Sequence, residues 1–289
     1  MSLNSIQQAV DAELAGQTCF ATWRKTPTQT TGAGIWFDLS MSPGNPVPNY
    51  YAASPGIAVA LAQSTDGGLY HGANVGQLGA SKYLKSLTAL TTTATAVPLP
   101  LLLCDYLMYY PFVDMSVTDY QPLTTGITLP RYPTGAGVQI MAVEVAGQSG
   151  TGNPQFQVRY TNQDGVAGQL TRAVACNTQV VNGTLINTAR ATAAANGPFL
   201  PLAPGDTGVR LIEGVTFYTA DIGLIALVLV KPVAAHQIRT IDAPAERNYL
   251  QDFAAMPAIA DDAYLNLICC PQGTLSAAPI HGTIQTIWG

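Results

Sequence analysis

Two stretches of this chain, Leu39 to Thr65 and Ala263 to Gly289, contain no Asp, Glu, Lys or Arg at all. A solvated helix face needs Lys and Glu, and a surface without charge is a poor one for a free monomer, so stretches like these are expected to be buried or covered, the alternative being a neutral, Thr- and Gln-rich surface that is soluble without partners. The shortage extends to the whole chain, where only 10% of residues are charged and 48% are apolar, against roughly 25% charged in ordinary soluble domains. Exposed helix is thereby disfavoured, and sheets with long loops remain. Because interface cores are depleted in charge, a chain of this composition is expected to turn much of its outside toward other subunits. The formal charge of −5 argues against a sequence-independent nucleic-acid binder, since Arg24-Lys25 is the only tight basic pair.

With 289 residues the chain can build one large domain or two modest ones. Its clearest helix lies in the first eighteen residues, where Leu3, Ile6, Val10 and Leu14 recur at three- and four-residue spacing, Asn4 or Ser5 can cap, and Gly16 can terminate. Thr26 to Gly34 reads as a polar loop and Ile35-Trp36-Phe37 as a short strand. Pro43, Pro46 and Pro48 then exclude helix and sheet interior, which predicts an extended arm.

From Ile57 onward, strand-like runs alternate with turn signals in the manner of a sandwich. Gln155 to Thr161 places Phe156, Val158 and Tyr160 on one face. Asn182-Gly183, between Val180-Val181 and Thr184-Leu185-Ile186, predicts a hairpin, and Asp66-Gly67 and Asp164-Gly165 predict turns. Ile222 to Val230 is apolar on both faces and predicts a central strand. Gly208 to Ala220, His236 to Ile241, Tyr264 to Cys270 and Ile280 to Trp288 predict further strands, while Ala191 to Asn196 is mildly low in complexity. The expected fold is mainly β, an antiparallel β-sandwich of jelly-roll type. A short N-terminal helix and a Pro-rich arm (1–56) precede the sandwich (57–289), with a further boundary conceivable at 134–137.

Sites for chemistry are hard to find. His71, His236 and His281 lie at no metal-ligand spacing, so neither a metal nor a cofactor is expected. The glycine pairs Gly32/Gly34, Gly135/Gly137 and Gly150/Gly152 read as turns and not as phosphate-binding loops. Asp114 with Asp119, or Asp261 with Asp262, offers paired carboxylates, but turn and cap roles explain such residues better. Tyr106, Tyr109, Tyr110 and Phe112 suit core or subunit contact better than a stacking platform. Cys19, Cys104, Cys176, Cys269 and Cys270 are odd in number and mostly in apolar settings, which predicts free thiols. No apolar run is long enough for a membrane span and no signal peptide is recognisable, so folding in a cytoplasm is the expectation.

Three stretches resemble motifs of uncharacterised virion structural proteins of tailed bacteriophages and prophages: Trp36 to Ala52 (WFDLSMSPGNPVPNYYA), Leu103 to Asp114 (LCDYLMYYPFVD) and Leu129 to Gln139 (LPRYPTGAGVQ). Tyr160 to Val166 carries the likeness into the second half. The resemblance implies a place in a virion and brings no catalytic residue set. A capsid decoration, cement or minor capsid protein is one such place, with the major capsid protein and further copies of the chain as partners. A tail, neck or receptor-binding component is the alternative, and a virion-associated hydrolase a third. The expected contacts are the arm, through Val47, Tyr50 and Tyr51, and the C-terminal segment, through Ile284, Ile287 and Trp288. For the latter, a pair of central strands within the same domain is the competing explanation.

Overall fold

A computed structural model describes residues 3, 5–76, 79–147, 154–188, 197–252 and 255–289. Gly150/Gly152 and Ala191 to Asn196 lie outside the described residues. The fold is mainly β, as the pattern of alternation predicts, and its strands form three antiparallel sheets. The middle sheet has the order β2 (Phe37–Asp38), β16 (Leu265–Cys269), β6 (Leu99–Asp114), β13 (Leu224–Ile238) and β8 (Gln139–Ala146), with β4 (Val59–Ala60) also on β6. The second has the order β14 (Ala245–Asn248), β5 (Lys82–Thr91), β17 (Ile280–Trp288), β1 (Thr18–Lys25) and β3 (Gly44–Asn45), with β15 (Ala258–Ile259) on β5. The third runs β10 (Gln169–Leu170), β9 (Gln155–Asn162), β12 (Val209–Phe217) and β7 (Gln121–Pro122), with β11 (Val174–Ala175) on β9.

The long strands β6 and β13 pair over almost their whole length and serve two cores. Near one end, Leu99, Leu101 and Leu103 pack with Leu265 and Leu267 against Trp23, Leu84, Leu87 and Ile284 of the second sheet. Near the other end, Leu107, Tyr110, Ile225, Leu227 and Leu229 pack against Phe156, Val158, Tyr160, Val215 and Phe217 of the third. Strand alternation sends the intervening residues Ala226, Val228, Val230, Met141 and Val143 to the opposite face, where Met41 and Tyr51 of the arm and Leu61 just after β4 cover them. The sandwich is therefore built twice over one shared sheet, and that sheet draws strands from both sides of residues 134–137.

Most predicted strands form where the alternation placed them, and Ile225 to Val230 are fully buried. Ile222 is the exception, lying exposed ahead of β13. Gly183 takes a positive φ of 96° and its turn closes through Thr184 N–H to Val181 C=O, but the flanking residues do not pair with each other. Thr184 and Ile186 instead complete the edge of β8, through Glu144 N–H to Thr184 C=O and Ile186 N–H to Ala142 C=O. The hairpin signal thus marks a turn whose second arm docks on another strand.

The first helix, α1 (Ile6–Leu14), begins at Ser5, whose hydroxyl accepts from Gln8 N–H at 3.2 Å, and ends before Gly16 at φ 71°. Its orientation departs from the apolar spacing. Ala9 and Ala12 are buried against Ile287, whereas Ile6 (71% exposed), Val10 and Leu14 (83% exposed) face outward. Small residues allow the helix axis to lie close to the sheet, and the larger apolar side chains are left on the far side. Among the described residues, no helix is long and apolar enough to cross a membrane.

Candidate functional site, a clamped arm with an uncharged outer side

The arm pairs in a sheet only at Gly44–Asn45 (β3), since Pro43, Pro46 and Pro48 donate nothing. Two buried charged residues take over that task. Lys25, the last residue of β1, has no exposure, and its ammonium donates to the carbonyls of Pro46 (2.7 Å), Ser42 (3.1 Å) and Ser40 (3.4 Å). Burial pushes its pKa down to about 8, partly opposed by the nearby carboxylate of Asp38. Alternation explains the placement: Trp23 and Lys25 share the inward face of β1, while Thr22 and Arg24 are exposed.

Asp38, at the end of β2, is the second anchor. Its carboxylate accepts from Tyr51 Oη (2.5 Å), Ser40 Oγ (2.6 Å), Tyr106 Oη (2.7 Å) and Ser40 N–H (2.8 Å). Burial pushes the Asp38 pKa up, and the hydroxyl and amide donors pull against it. Burial, with the Asp38 charge second, pushes the Tyr51 and Tyr106 hydroxyls well above the usual phenol range. The network joins the arm through Tyr51 to the middle sheet through Tyr106. Tyr51 sits at φ 51°, a region that non-glycine residues seldom occupy, and is held there from both ends by the Asp38 bond and by its N–H to Asn49 Oδ1 at 2.9 Å.

A third anchor lies where the arm meets β4. Arg131 forms a two-pronged pair with Asp105, at 2.7 and 2.9 Å, and donates to the carbonyls of Leu61 and Tyr106 at 2.8 Å each. Asp105 also accepts from Tyr264 N–H at 3.0 Å. Each charge is thus enclosed with its acceptors or donors largely filled, as burial of a charge requires.

The residues expected at subunit contacts divide sharply. Val47 (64% exposed) and Tyr50 (54% exposed) lie on the outer side of the arm. Tyr51 is fully buried against the ring of Tyr109, with centroids 5.1 Å apart, so its burial comes from its own chain and needs no neighbour. Ile284 and Ile287 are likewise buried internally, because β17 is flanked on both sides, by β5 and β1. Trp288 is half-buried over Gly72, where a Cβ would come within 3.1 Å of the indole. The C-terminal segment is therefore a pair of interior strands, the competing explanation raised above.

Other residues singled out in the sequence have structural positions. Tyr106 and Tyr110 are fully buried, and Tyr109 nearly so. Asp114 accepts from Ser116 N–H and Oγ within its own turn, whereas Asp262 accepts from Ser64 N–H and Oγ and Asp261 from Val75 and Gly76 N–H, tying loops far apart in the chain, with the Lys82 ammonium 3.6 Å from Asp261. The five cysteines are unpaired; four are buried and Cys19 is half-buried. Among the described residues, no group of three or more His, Cys, Asp or Glu could hold a metal ion.

Sequence reasoning missed Lys25, Asp38, Asp105 and Arg131 as a set. Lys25 reads as half of a surface basic pair, and only its alternation with Trp23 in a strand would have turned it inward.

No family model matches the chain, and no curated protein matches it. Among solved structures, a mutant VP2 protein of infectious bursal disease virus in T=1 particles aligns at 9% identity, over 94% of this chain and 77% of that one, with a TM-score of 0.18. The VP2 subviral particle of the same virus aligns at 9% identity over 93% and 80%, also with a TM-score of 0.18. Likeness this slight carries no argument about fold or role.

Proposed function

We propose that the chain is a non-catalytic structural component of a tailed-phage virion. In this reading it is a decoration, cement or minor capsid protein that stabilises the head by contacts with the major capsid protein and with its own copies. The observation that carries the reading is the two-sided arm. Its inner side is fixed by the buried Lys25 ammonium and Asp38 carboxylate, with Arg131 holding Leu61 beyond its end, while its outer side presents Val47 and Tyr50 within a stretch that has no charge. Fixing a proline-rich segment in this way lowers the entropy lost when a neighbour docks on it. The outward Ile6, Val10 and Leu14 of α1 add a second apolar surface that the chain itself leaves uncovered. The resemblance of Trp36 to Ala52 to virion proteins falls on this same arm.

The test is copy number in purified particles. A count that follows the capsid lattice supports the reading. A count matching a tail or neck ring would move the chain to that part of the particle, and absence from particles would end the proposal.

A further inference from the structure

Strand β1 is paired along its whole length on one edge, with β17, but on its other edge β3 meets only Arg24 and Lys25. Alternation decides which backbone groups face that second edge, since the N–H and C=O of one residue point to one side of a strand and those of the next residue to the other. On the β17 side, Gln17 C=O accepts from Trp288 N–H. On the arm side, Thr22 C=O accepts from the Asn45 carboxamide at 3.0 Å and Thr26 N–H donates to Pro43 C=O. Thr18, Phe20 and Thr22 therefore turn their backbone groups away from β17. Apart from the Asn45 contact, these groups meet no partner among the described residues. Nor can β3 extend to reach them, because Pro46 has no N–H and its carbonyl is already held by Lys25.

The edge lies open. No residue from Thr18 to Thr22 is buried, and Phe20 is 66% exposed. Sheets that stay monomeric blunt such an edge with a charge, a proline or a bulge. Thr18 to Trp23 contains no Asp, Glu, Lys, Arg or Pro, and its register with β17 runs unbroken.

The order of the residues decides what fits there. Thr18-Cys19-Phe20-Ala21-Thr22 reads nearly the same from either end. Antiparallel pairing with a second copy sets Phe20 against the partner subunit's Phe20 and Thr18 against the partner subunit's Thr22. In that register the open backbone groups meet as hydrogen-bonded pairs, each residue giving its N–H and taking at its C=O. The Thr22 carbonyl has a second lone pair for the added donor. Aromatic and Thr–Thr pairs are favourable directly across a ladder, and with no charge in the segment no like charges meet on the axis. On the other face Cys19 meets the partner subunit's Ala21, both of them small. Such self-complementarity is what a two-fold contact requires. We propose that two copies of the chain join edge to edge through β1, about a two-fold axis at Phe20, so that their second sheets run on as one.

This gives a surface to the contact between copies proposed for the particle and rests on that reading. The test uses the free full chain, so its failure leaves the copy-number count unaffected. Sedimentation over a range of concentrations should show a monomer–dimer equilibrium. Amide exchange at Phe20 and Thr22 should slow as the dimer forms, while Cys19 and Ala21, bonded to β17, stay protected throughout. Phe20→Lys and Phe20→Glu alter an exposed side chain and no ladder bond, so each should keep the wild-type urea midpoint. Each alone should weaken the dimer about tenfold, because like charges then face each other on the axis, and an equal mixture of the two should recover most of that loss. Phe20→Pro deletes an N–H that β17 does not use and should abolish the dimer. A chain that stays monomeric at every concentration would overturn the proposal. So would a dimer whose Phe20 and Thr22 amides exchange as in the monomer, or a mixture that recovers nothing, either of which would assign the contact to another surface.

Discussion

The two charge-free segments have the same chemical character and opposite fates. Ala263 to Gly289 becomes β16 and β17, one in the middle sheet and one in the second, each with a strand on both sides. Its backbone groups are satisfied by ladders, and its apolar side chains fill the core between the two sheets. Leu39 to Thr65 forms strand pairs only over the two-residue strands β3 and β4, and elsewhere it is held by the Lys25 ammonium of β1, the Asp38 carboxylate of β2 and the Arg131 guanidinium. A segment that pairs most of its backbone leans on few buried charges, such as Asp105 at Tyr264 N–H. One that barely pairs must import charged partners, and these cover only its inner side. This difference explains why the arm keeps exposed apolar residues and the C-terminal segment keeps almost none.

Removing residues 280–289 breaks the comparison most severely. β17 pairs with β1 over eight registered positions and with β5 over nine, so its loss opens the second sheet through the middle and exposes Leu84, Leu87 and Trp23. The truncated chain should show no cooperative unfolding transition in urea. A two-state transition with an unchanged slope would mean that β17 is an accessory strand.

Next in size is Lys25→Met, which keeps the apolar stem and removes the ammonium. The carbonyls of Ser40, Ser42 and Pro46 lose a buried donor, at about 3 kcal/mol in total. The damage should be local. Amide exchange should quicken at Ser42 and Asn49, whose N–H groups bond Leu39 and Ser40 carbonyls within the arm, while Val228 in the middle sheet should keep its protection. Equal acceleration at all three sites would show that the arm and the sandwich unfold as one unit.

The C-terminal segment has its own polar anchor, and it predicts a pH effect. His71 is buried; its Nε2 faces Ala263 C=O at 2.9 Å, its Nδ1 faces the Lys82 ammonium at 3.1 Å, and its own carbonyl accepts from Thr286 Oγ1. Since the ammonium can only donate, Nδ1 is the acceptor and the proton sits on Nε2. Burial, reinforced by the Lys82 charge, holds the His71 pKa down at about 4, against about 6.5 in an unfolded chain. Between those values the unfolded chain binds a proton that the folded chain does not. Stability should therefore fall as pH drops from about 6.5 to about 4, by on the order of 2–3 kcal/mol. Urea midpoints at pH 7 and pH 4.5 measure it, and His71→Gln should flatten the dependence. A wild-type midpoint that stays level across that window would remove His71 from the account.

The contrast between the segments also marks what the sequence makes legible. Period-two alternation in Gln155 to Thr161 and the continuous apolar run after Ile222 place their strands within a residue or two, because one buried face dictates those patterns. Patterns of that kind do not reveal which strand lies beside which, so Ile284 and Ile287 could be read as outward residues when they sit beneath two different covers. The helix shows a second limit: spacing selected Leu3, Ile6, Val10 and Leu14 as the inward stripe, but of these only Leu3 packs inward, and close approach to the sheet favours Ala9 and Ala12. The clamp was the least legible part. Its members come from β1, β2, β6, the arm and the Arg131 loop, and a charged residue that is buried leaves no periodic mark of its own.

The smallest effect on stability is expected where the functional consequence is greatest. Because Tyr51 belongs to the core, deleting the arm would disturb folding as well as contacts, and substitution of its two outward residues is the cleaner test. In Val47→Glu/Tyr50→Glu both new carboxylates point to water, no ladder or clamp bond is touched, and the urea midpoint should shift by no more than about 0.5 kcal/mol equivalent. If the outer side of the arm meets a neighbour, two desolvated charges at its centre should drive the protein out of assembled particles, since an unpaired buried charge costs several kcal/mol. Quantitative gel analysis of particles assembled with the variant in place of the wild-type chain reads the outcome. Incorporation at the wild-type level, with stability unchanged, would show that the clamp presents this surface to solvent alone, and the contact role would then pass to the Ile6, Val10 and Leu14 stripe of α1.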